Sequence, residues 1–213
     1  MVDNVYLFIP NIIGYGRIIL LLVSFYFMPY NPEIAMATYM LSQLLDAFDG
    51  YTARLFKQTT MFGAVLDMVT DRVSTMCLSI VLAMFYVRYT FLIQFVVMLD
   101  ISSHWLQMYC SLVCGEKSHK DTDNVFLKLY YNNRTVLFLM CAGNELFHLM
   151  AYMMYFSNGP LVAFHLGLWQ ILFFVTAPVC ALKQLISVVQ LIAAVQRLVE
   201  IDTDNRLKSS QQQ

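Results

Sequence analysis

Residues 46–72 read DAFDGYTARLFKQTTMFGAVLDMVTDR, and the architecture of the chain follows from this segment. Two helical segments flank a short connection at 56–60, and both place acidic residues within apolar sequence. A connection this short predicts that the two helices are antiparallel neighbours. At about 100° per residue, Asp46, Asp49 and Arg54 fall on one face of the first helix. We therefore expect a polar cleft between the two helices.

The second helix contributes its own acidic face to this cleft. Gly63, Asp67 and Asp71 follow one another at intervals of four residues, which places them on the same side of a helix. Converging carboxylates repel one another unless a cation neutralises them. Hard divalent cations such as Mg²⁺, Mn²⁺ or Ca²⁺ bind oxygen ligands of this kind. Two such ions about 3.5–4 Å apart are a common arrangement for displacement at phosphorus.

Small residues on the first helix suggest what else enters the cleft. Gly50 and Ala53 leave the backbone bare, so a phosphate or a base can approach it closely. Arg54 lies on the same face and can hold two phosphate oxygens at once. The alternative is a structural hairpin, in which Arg54 and Arg72 form ion pairs with acids of their own helices. Ion pairing alone does not explain why the acids share a face with glycine.

Composition places this cleft in a membrane protein. Of the 213 residues, 59% are hydrophobic and only 13% are charged, whereas a soluble domain has about 25% charged residues. These values exclude most soluble enzymes, secreted modules and disordered chains, and they favour an all-α, polytopic integral membrane protein. The formal net charge of −1 argues against nucleic acid as a partner, because nucleic-acid binding needs a basic surface.

Apolar runs and the breakers between them predict about six transmembrane helices. We expect one domain over residues 1–200, with the acidic motif at 46–71, and a polar, disordered tail over 201–213. The predicted spans cover about 11–28, 33–57, 60–86, 91–114, 133–156, and 163 into the region of 190, with a projection as far as 200.

The basic residues predict the orientation of these spans. With both termini in the cytosol, only Arg88 falls on the opposite side, which agrees with the positive-inside rule. The basic residues that then lie on the cytosolic side are Lys57, Lys117, Lys120, Lys128, Arg134, Arg197, Arg206 and Lys208.

The acidic stretch carries a resemblance to a known family. From Asp46 to Asp71 the sequence has the pattern D-x2-D-G-x2-A-R-x8-G-x3-D-x3-D, which matches every fixed position of the motif that defines the CDP-alcohol phosphotransferases. The stretches 9–17, 62–72 and 100–109 further resemble eukaryotic members that use inositol as the acceptor. The resemblance extends from residue 5 to about 200.

The resemblance implies a reaction and a set of site residues. Members of this kind transfer a phosphatidyl group from CDP-diacylglycerol to an alcohol, here myo-inositol, and release CMP. It implies that two Mg²⁺ or Mn²⁺ ions are held by Asp46, Asp49 and Asp67, and that Asp71 deprotonates the acceptor and can also touch metal. Gly14 replaces the threonine of the family's N-terminal pattern, which starts at Pro10. The residues expected at CDP-diacylglycerol are Asn11, Arg17, Asp49, Gly50, Ala53, Arg54, Thr60 and Gly63.

Polar residues on the later helices are candidates for the inositol site. They are Asp100, His104 and Gln107 on the fourth span, Arg134 at the start of the fifth, and Lys183 on the sixth. Asp100 and His104 are i, i+4 neighbours, so an internal hydrogen-bonded pair that locks helices is an equal alternative. Arg134 could equally be a snorkelling residue at the membrane interface.

The resemblance also implies a homodimer in the endoplasmic reticulum membrane, with the active site facing the cytosol. Two other functions compete with inositol transfer. One is a sibling phosphotransferase that uses serine, glycerol phosphate or a choline-type alcohol. The other is a divalent-cation transporter, because carboxylates within a membrane can mark an ion path. Arg54 argues against the transporter, since a cation path has no use for an arginine beside its acids.

Overall fold

The structure is a computed structural model that describes residues 4–113, 133–163 and 165–211. Within these ranges it has six long helices and one two-stranded sheet, with short 3₁₀ turns at Val5–Leu7 and Val87–Tyr89. The helices are α1 (Ile9–Phe27), α2 (Pro32–Leu55), α3 (Met61–Phe85), α4 (Thr90–Val113), α5 (Arg134–Phe156) and α6 (Leu168–Gln211), and the strands are β1 (Leu161–Ala163) and β2 (Leu166–Gly167).

The prediction of an all-α, polytopic membrane fold is confirmed. Five of these helices are long and apolar enough to cross a membrane, and the exception is α2. Asp46, Asp49 and Arg54 of the motif, together with Glu33 and Gln43, lower the hydropathy of α2. Both bounds of the first five predicted spans lie within two residues of the helices in the structure.

The chain forms two compact units, the first of residues Met1–Thr90 with His148–Gln170 and the second of Phe91–Phe147 with Ile171–Gln213. In the first unit, small hydroxyl side chains join α1 to α2. Ser24 donates to the Ala35 carbonyl oxygen at 2.8 Å, and Ser42 donates to the Arg17 carbonyl oxygen at 3.2 Å. Small residues of this kind allow helices to approach closely where lipid provides no hydrophobic driving force.

In the second unit, a glycine allows α5 and α6 to come close together. A β-carbon at Gly143 would lie 2.6 Å from the Val179 Cγ1 atom, so the two backbones can approach only because this side chain is missing. The Gln184 amide donates to the Asn144 side-chain oxygen at 3.3 Å between the same helices. This pair adds a polar contact to the tight packing.

The prediction for the start of the sixth span was wrong, because a β-hairpin precedes α6. Gly159 has a φ of +77°, which turns the chain sharply after Asn158. Leu168 N–H then donates to the Pro160 carbonyl oxygen at 2.9 Å, and Trp169 N–H donates to that of Asn158 at 3.3 Å. These bonds occupy the first N–H groups of α6, so the helix begins at Leu168 rather than near Ala163.

The tail also differs from its prediction. Residues 201–211 continue α6 as an exposed helix instead of forming a disordered segment. They contain no proline or glycine that would stop the helix. Acidic residues precede basic ones by four positions, Asp202 before Arg206 and Asp204 before Lys208, a spacing that supports an isolated helix.

Three of the basic residues used to predict the orientation, Lys117, Lys120 and Lys128, lie outside the described ranges. Cys114, the predicted end of the fourth span, lies outside them as well. The cytosolic location of both termini therefore stays a prediction.

Candidate active site

The acidic motif forms a helical hairpin in the first unit, as the sequence predicts. α2 ends at Leu55 and α3 begins at Met61, after a short connection. Thr60 caps α3, because its side-chain oxygen accepts the Gly63 N–H at 3.0 Å. This cap satisfies one N–H at the beginning of α3, where the cleft between the helices opens.

All four motif acids meet at one buried arginine of α1. Arg17 is fully buried, and its Nη1 atom lies 2.6 Å from Asp46 Oδ1, 2.8 Å from Asp49 Oδ2 and 2.8 Å from Asp67 Oδ1. Its Nη2 atom lies 2.5 Å from Asp71 Oδ1. The hairpin therefore gathers the four carboxylates around a single cationic group, and these contacts between acids and arginine are charge-assisted hydrogen bonds or ion pairs.

Three of these acids also form a set that fits a metal ion. Asp46, Asp49 and Asp67 each offer a carboxylate oxygen, and these oxygens lie within 4.8 Å of one another. The Arg17 Nη1 atom contacts a carboxylate oxygen of each of these three acids. The three carboxylates can therefore stabilise a positive charge placed between them. A set of carboxylate oxygens alone suits a hard divalent cation. The donor set therefore fits the metal site that the sequence predicts.

Of the alternative ion pairs within the hairpin, one is present. Arg72 Nη2 lies 3.7 Å from Asp71 Oδ2. Arg54 is exposed, and its guanidinium lies over Gly50, where a β-carbon would be 3.5 Å from Nη1. Arg54 therefore stays on the motif face beside the bare backbone, where a ligand can reach it.

An open cavity lies along the same face of the hairpin and is closed on one side by the beginning of α1. Most of the residues that the resemblance assigns to the donor line it, whereas Arg17 is enclosed by the acids. A direct contact of Arg17 with the donor therefore stays a prediction. The predicted residues in the lining are Asn11, Asp49, Gly50, Ala53, Arg54, Thr60, Gly63 and Asp67.

Two glycines bring α1 close to α3 at this cavity. A β-carbon at Gly63 would lie 2.9 Å from Asn11 Oδ1, and one at Gly14 would lie 2.9 Å from Leu66 Cδ2. Leu66 therefore occupies the space into which a threonine at position 14 would project. This packing gives a physical reason for the departure from the family's N-terminal pattern.

Sequence reasoning missed part of the lining. Gln58, Thr59, Ala64 and Leu66 lie at variable positions between the fixed residues of the motif. The pattern itself says nothing about such positions. The available signal was their position in the sequence. Gln58 and Thr59 lie in the short connection beside Thr60, and Ala64 and Leu66 follow Gly63 at the beginning of α3.

Three of the five inositol candidates, Asp100, His104 and Lys183, come together in the second unit. His104 Nδ1 lies 2.8 Å from the Asp100 carbonyl oxygen and 3.5 Å from its Oδ1 atom. Lys183 Nζ lies 3.5 Å from His104 Nε2, and both Lys183 and Asp100 are buried. Arg134 is the first residue of α5, and its side chain is outside the described part. The cluster is compatible with an acceptor site and with a pair that locks helices.

Comparisons with known proteins agree with the motif. The family profile described as CDP-alcohol phosphatidyltransferase matches residues 7–199. A protein of Mus musculus is 49% identical over 97% of this chain and 98% of its own length, one of Drosophila melanogaster is 46% identical over 98% and 92%, and one of Saccharomyces cerevisiae is 41% identical over 95% and 91%. All three are named CDP-diacylglycerol–inositol 3-phosphatidyltransferase. No solved structure gives a significant match. The chain therefore belongs to the CDP-alcohol phosphatidyltransferase family.

Proposed function

We propose that this chain transfers the phosphatidyl group of CDP-diacylglycerol to myo-inositol, forming phosphatidylinositol and CMP. The observation that carries the proposal is the convergence of the four motif acids beside a cavity lined by the motif's small residues and Arg54. The name shared by the relatives favours inositol over serine, glycerol phosphate or a choline-type alcohol as the acceptor.

The cavity suits the nucleotide end of CDP-diacylglycerol. Gly50 and Ala53 expose the α2 backbone, so the diphosphate can approach it without a steric clash. Arg54 supplies a planar guanidinium that can hold two phosphate oxygens. Asn11 and Thr60 add polar groups on the α1 and α3 sides of the cavity.

The acids would hold the metal ions of the reaction. CDP-alcohol phosphotransferases generally depend on divalent metal ions, and Asp46, Asp49 and Asp67 would hold two ions here, Mg²⁺ or Mn²⁺. When bound, such ions neutralise the charge that develops on phosphate oxygens and on the leaving group. The carboxylates in turn hold the site together, because each is anchored on a different turn of α2 or α3.

Asp71 is our candidate for the general base. An inositol hydroxyl oxygen attacks the β-phosphorus, and its proton passes to the Asp71 carboxylate. The bond between the β-phosphorus and the oxygen that bridges to the α-phosphorus breaks, and CMP leaves with that electron pair. The contacts of Asp71 with Arg17 and Arg72 hold its carboxylate in position.

For inositol, we propose the cluster of Asp100, His104 and Lys183, with Arg134 as a further candidate. Ionisable residues within membrane helices are costly and commonly serve a function. A carboxylate, an imidazole and an ammonium group together offer both donors and acceptors, which a polyol requires.

We also propose that residues 1–200 act as one domain of a homodimer in the endoplasmic reticulum membrane, with the active site facing the cytosol. The family match over 7–199 supports the extent of the domain. The distribution of basic residues supports the orientation, and inositol is a water-soluble acceptor.

Acceptor competition tests the proposal. Purified protein in detergent receives labelled CDP-diacylglycerol with inositol, serine, glycerol phosphate or a choline-type alcohol, and the lipid products are separated. We expect labelled phosphatidylinositol as the product when inositol is present. Serine, glycerol phosphate or a choline-type alcohol should give no labelled lipid and, added in excess, should not suppress the phosphatidylinositol. A different labelled lipid would assign the chain to a sibling enzyme.

A further inference from the structure

The connection between α2 and α3 holds Gln58 in a defined place. Gln58 N–H donates to the Ala53 carbonyl oxygen at 2.9 Å, and Lys57 N–H donates to that of Arg54 at 3.4 Å, the pattern of a Schellman turn. Lys57 has a φ of 55°, the left-handed conformation that usually selects glycine at this position. A lysine there costs about 1–2 kcal/mol, so the surrounding contacts must maintain the turn.

The side-chain amide of Gln58 has one possible orientation. The Ile9 N–H donates to Gln58 Oε1 at 3.0 Å. Because a backbone N–H can only donate, the amide oxygen must face Ile9 and the amide nitrogen must form the other side of the group. Gln58 also lines the cavity. With its oxygen engaged, the group that it can offer to a ligand is the NH₂ donor.

Two chemically different groups of residues line the cavity. Asp49 and Asp67 are acidic, which suits a diphosphate neutralised by cations. Gln58, Thr59 and Thr60 come from the connection beyond the end of α2 and bring neutral donors and acceptors. If the diphosphate is at the acids, the nucleoside extends toward this neutral group.

We propose that Gln58 is a specificity-determining residue that recognises the nucleobase of the donor, with its Nε2 group donating to the N3 and O2 acceptors of cytosine. This inference rests on the proposed function, because it takes the cavity to be the donor nucleotide site. Cytosine has an unprotonated N3, which accepts a hydrogen bond, whereas uracil carries a hydrogen on N3. A fixed amide donor therefore favours cytosine over uracil.

Gln58→Glu separates base recognition from a structural role. A glutamate carboxylate can still accept the Ile9 N–H, so the link to α1 survives. Its second oxygen cannot donate, so it repels cytosine N3 and can accept from uracil N3–H. We expect the affinity for CMP to fall by about tenfold or more, the scale of one lost hydrogen bond with a group left unpaired. The preference for CMP over UMP should shrink or reverse.

The assay measures CMP and UMP binding to purified protein in detergent by titration calorimetry, with Mg²⁺ present. Gln196→Glu, the same substitution at an exposed position of α6 in the second unit, is the matched control and should keep the parent preference. An unchanged ratio of CMP to UMP affinity in Gln58→Glu would overturn the role of Gln58 while leaving the proposed function intact. A parent protein that binds neither nucleotide would overturn the proposed function, and the inference with it.

Discussion

Replacing Arg17 by glutamine removes the one positive charge that four carboxylates share. Removing one partner of a buried ion pair costs about 3–5 kcal/mol, because a charge is left buried without compensation. Here only Asp49 is deeply buried, with 10% of its side chain exposed, whereas the side chains of Asp46, Asp67 and Asp71 are 39%, 47% and 27% exposed. Water can reach those three, so we expect Arg17→Gln to lose about 3 kcal/mol of unfolding free energy, near the lower end of the range.

Divalent cations should restore most of this loss. A ligand that binds only the folded state at 100 times its dissociation constant adds about 2.7 kcal/mol. Thermal unfolding of the purified variant in detergent, with EDTA or with increasing Mg²⁺, measures both effects. The control is Arg88→Gln, because Arg88 is exposed and lies outside the acid cluster, and we expect a change within about 0.5 kcal/mol. The reasoning fails if Arg17→Gln unfolds at the parent temperature in EDTA.

Two further substitutions and the removal of metal ions test the other parts of the proposed mechanism. Asp71→Asn should lower the turnover rate by about 10²–10⁴-fold, because the amide cannot accept the proton. CDP-diacylglycerol should still stabilise this variant in thermal unfolding. Turnover at the rate of the parent protein would exclude Asp71 as the base. Arg54→Lys should raise the KM for CDP-diacylglycerol more than that for inositol, because lysine lacks the planar fork; the reverse pattern would move Arg54 to the acceptor. Chelation with EDTA should abolish CMP release and added Mg²⁺ or Mn²⁺ should restore it, whereas full activity in EDTA would refute the metal requirement.

The sequence predicts the helices well because lipid imposes a simple rule. Apolar runs long enough to span a bilayer define five of the six helices. The exception, α2, follows from the breaker at Pro29 before it and from the helical spacing of its acids. The hairpin before α6 was missed because its residues are as apolar as a helix start. The positive φ angles of Gly159 and His165 and the bonds from the beginning of α6 back to Asn158 and Pro160 distinguish it.

The acidic face of the site was also predictable, because helical spacing alone brings Asp46, Asp49, Asp67 and Asp71 to one cleft. The position of Arg17 among these acids was not predictable in this way. Arg17 lies on α1, outside the hairpin, and its place depends on how α1 packs. That packing depends on Gly63 and Gly14, whose missing side chains allow the close approach of α1 to α3. Periodicity within one helix carries no information about such contacts between helices.

Gln58 illustrates the same limit at a smaller scale. Its role follows from a backbone turn and one hydrogen bond to Ile9, neither of which leaves a periodic trace in the sequence. Tertiary geometry, rather than residue type, makes this variable motif position part of the cavity wall.

In the proposed reaction inositol attacks the β-phosphorus of CDP-diacylglycerol, so the fate of that phosphorus is the decisive observation. Purified protein with Mg²⁺ is given CDP-diacylglycerol that carries ³²P only in the β-phosphate, with and without inositol. We expect the label to pass entirely into phosphatidylinositol and unlabelled CMP to be released in equal amount. Neither product should form without inositol or with Asp46→Asn. Label recovered in phosphatidic acid would show attack at the α-phosphorus, and label recovered in a nucleotide would show cleavage on the diacylglycerol side. Either result, or transfer that does not require inositol, would exclude attack by inositol at the β-phosphorus.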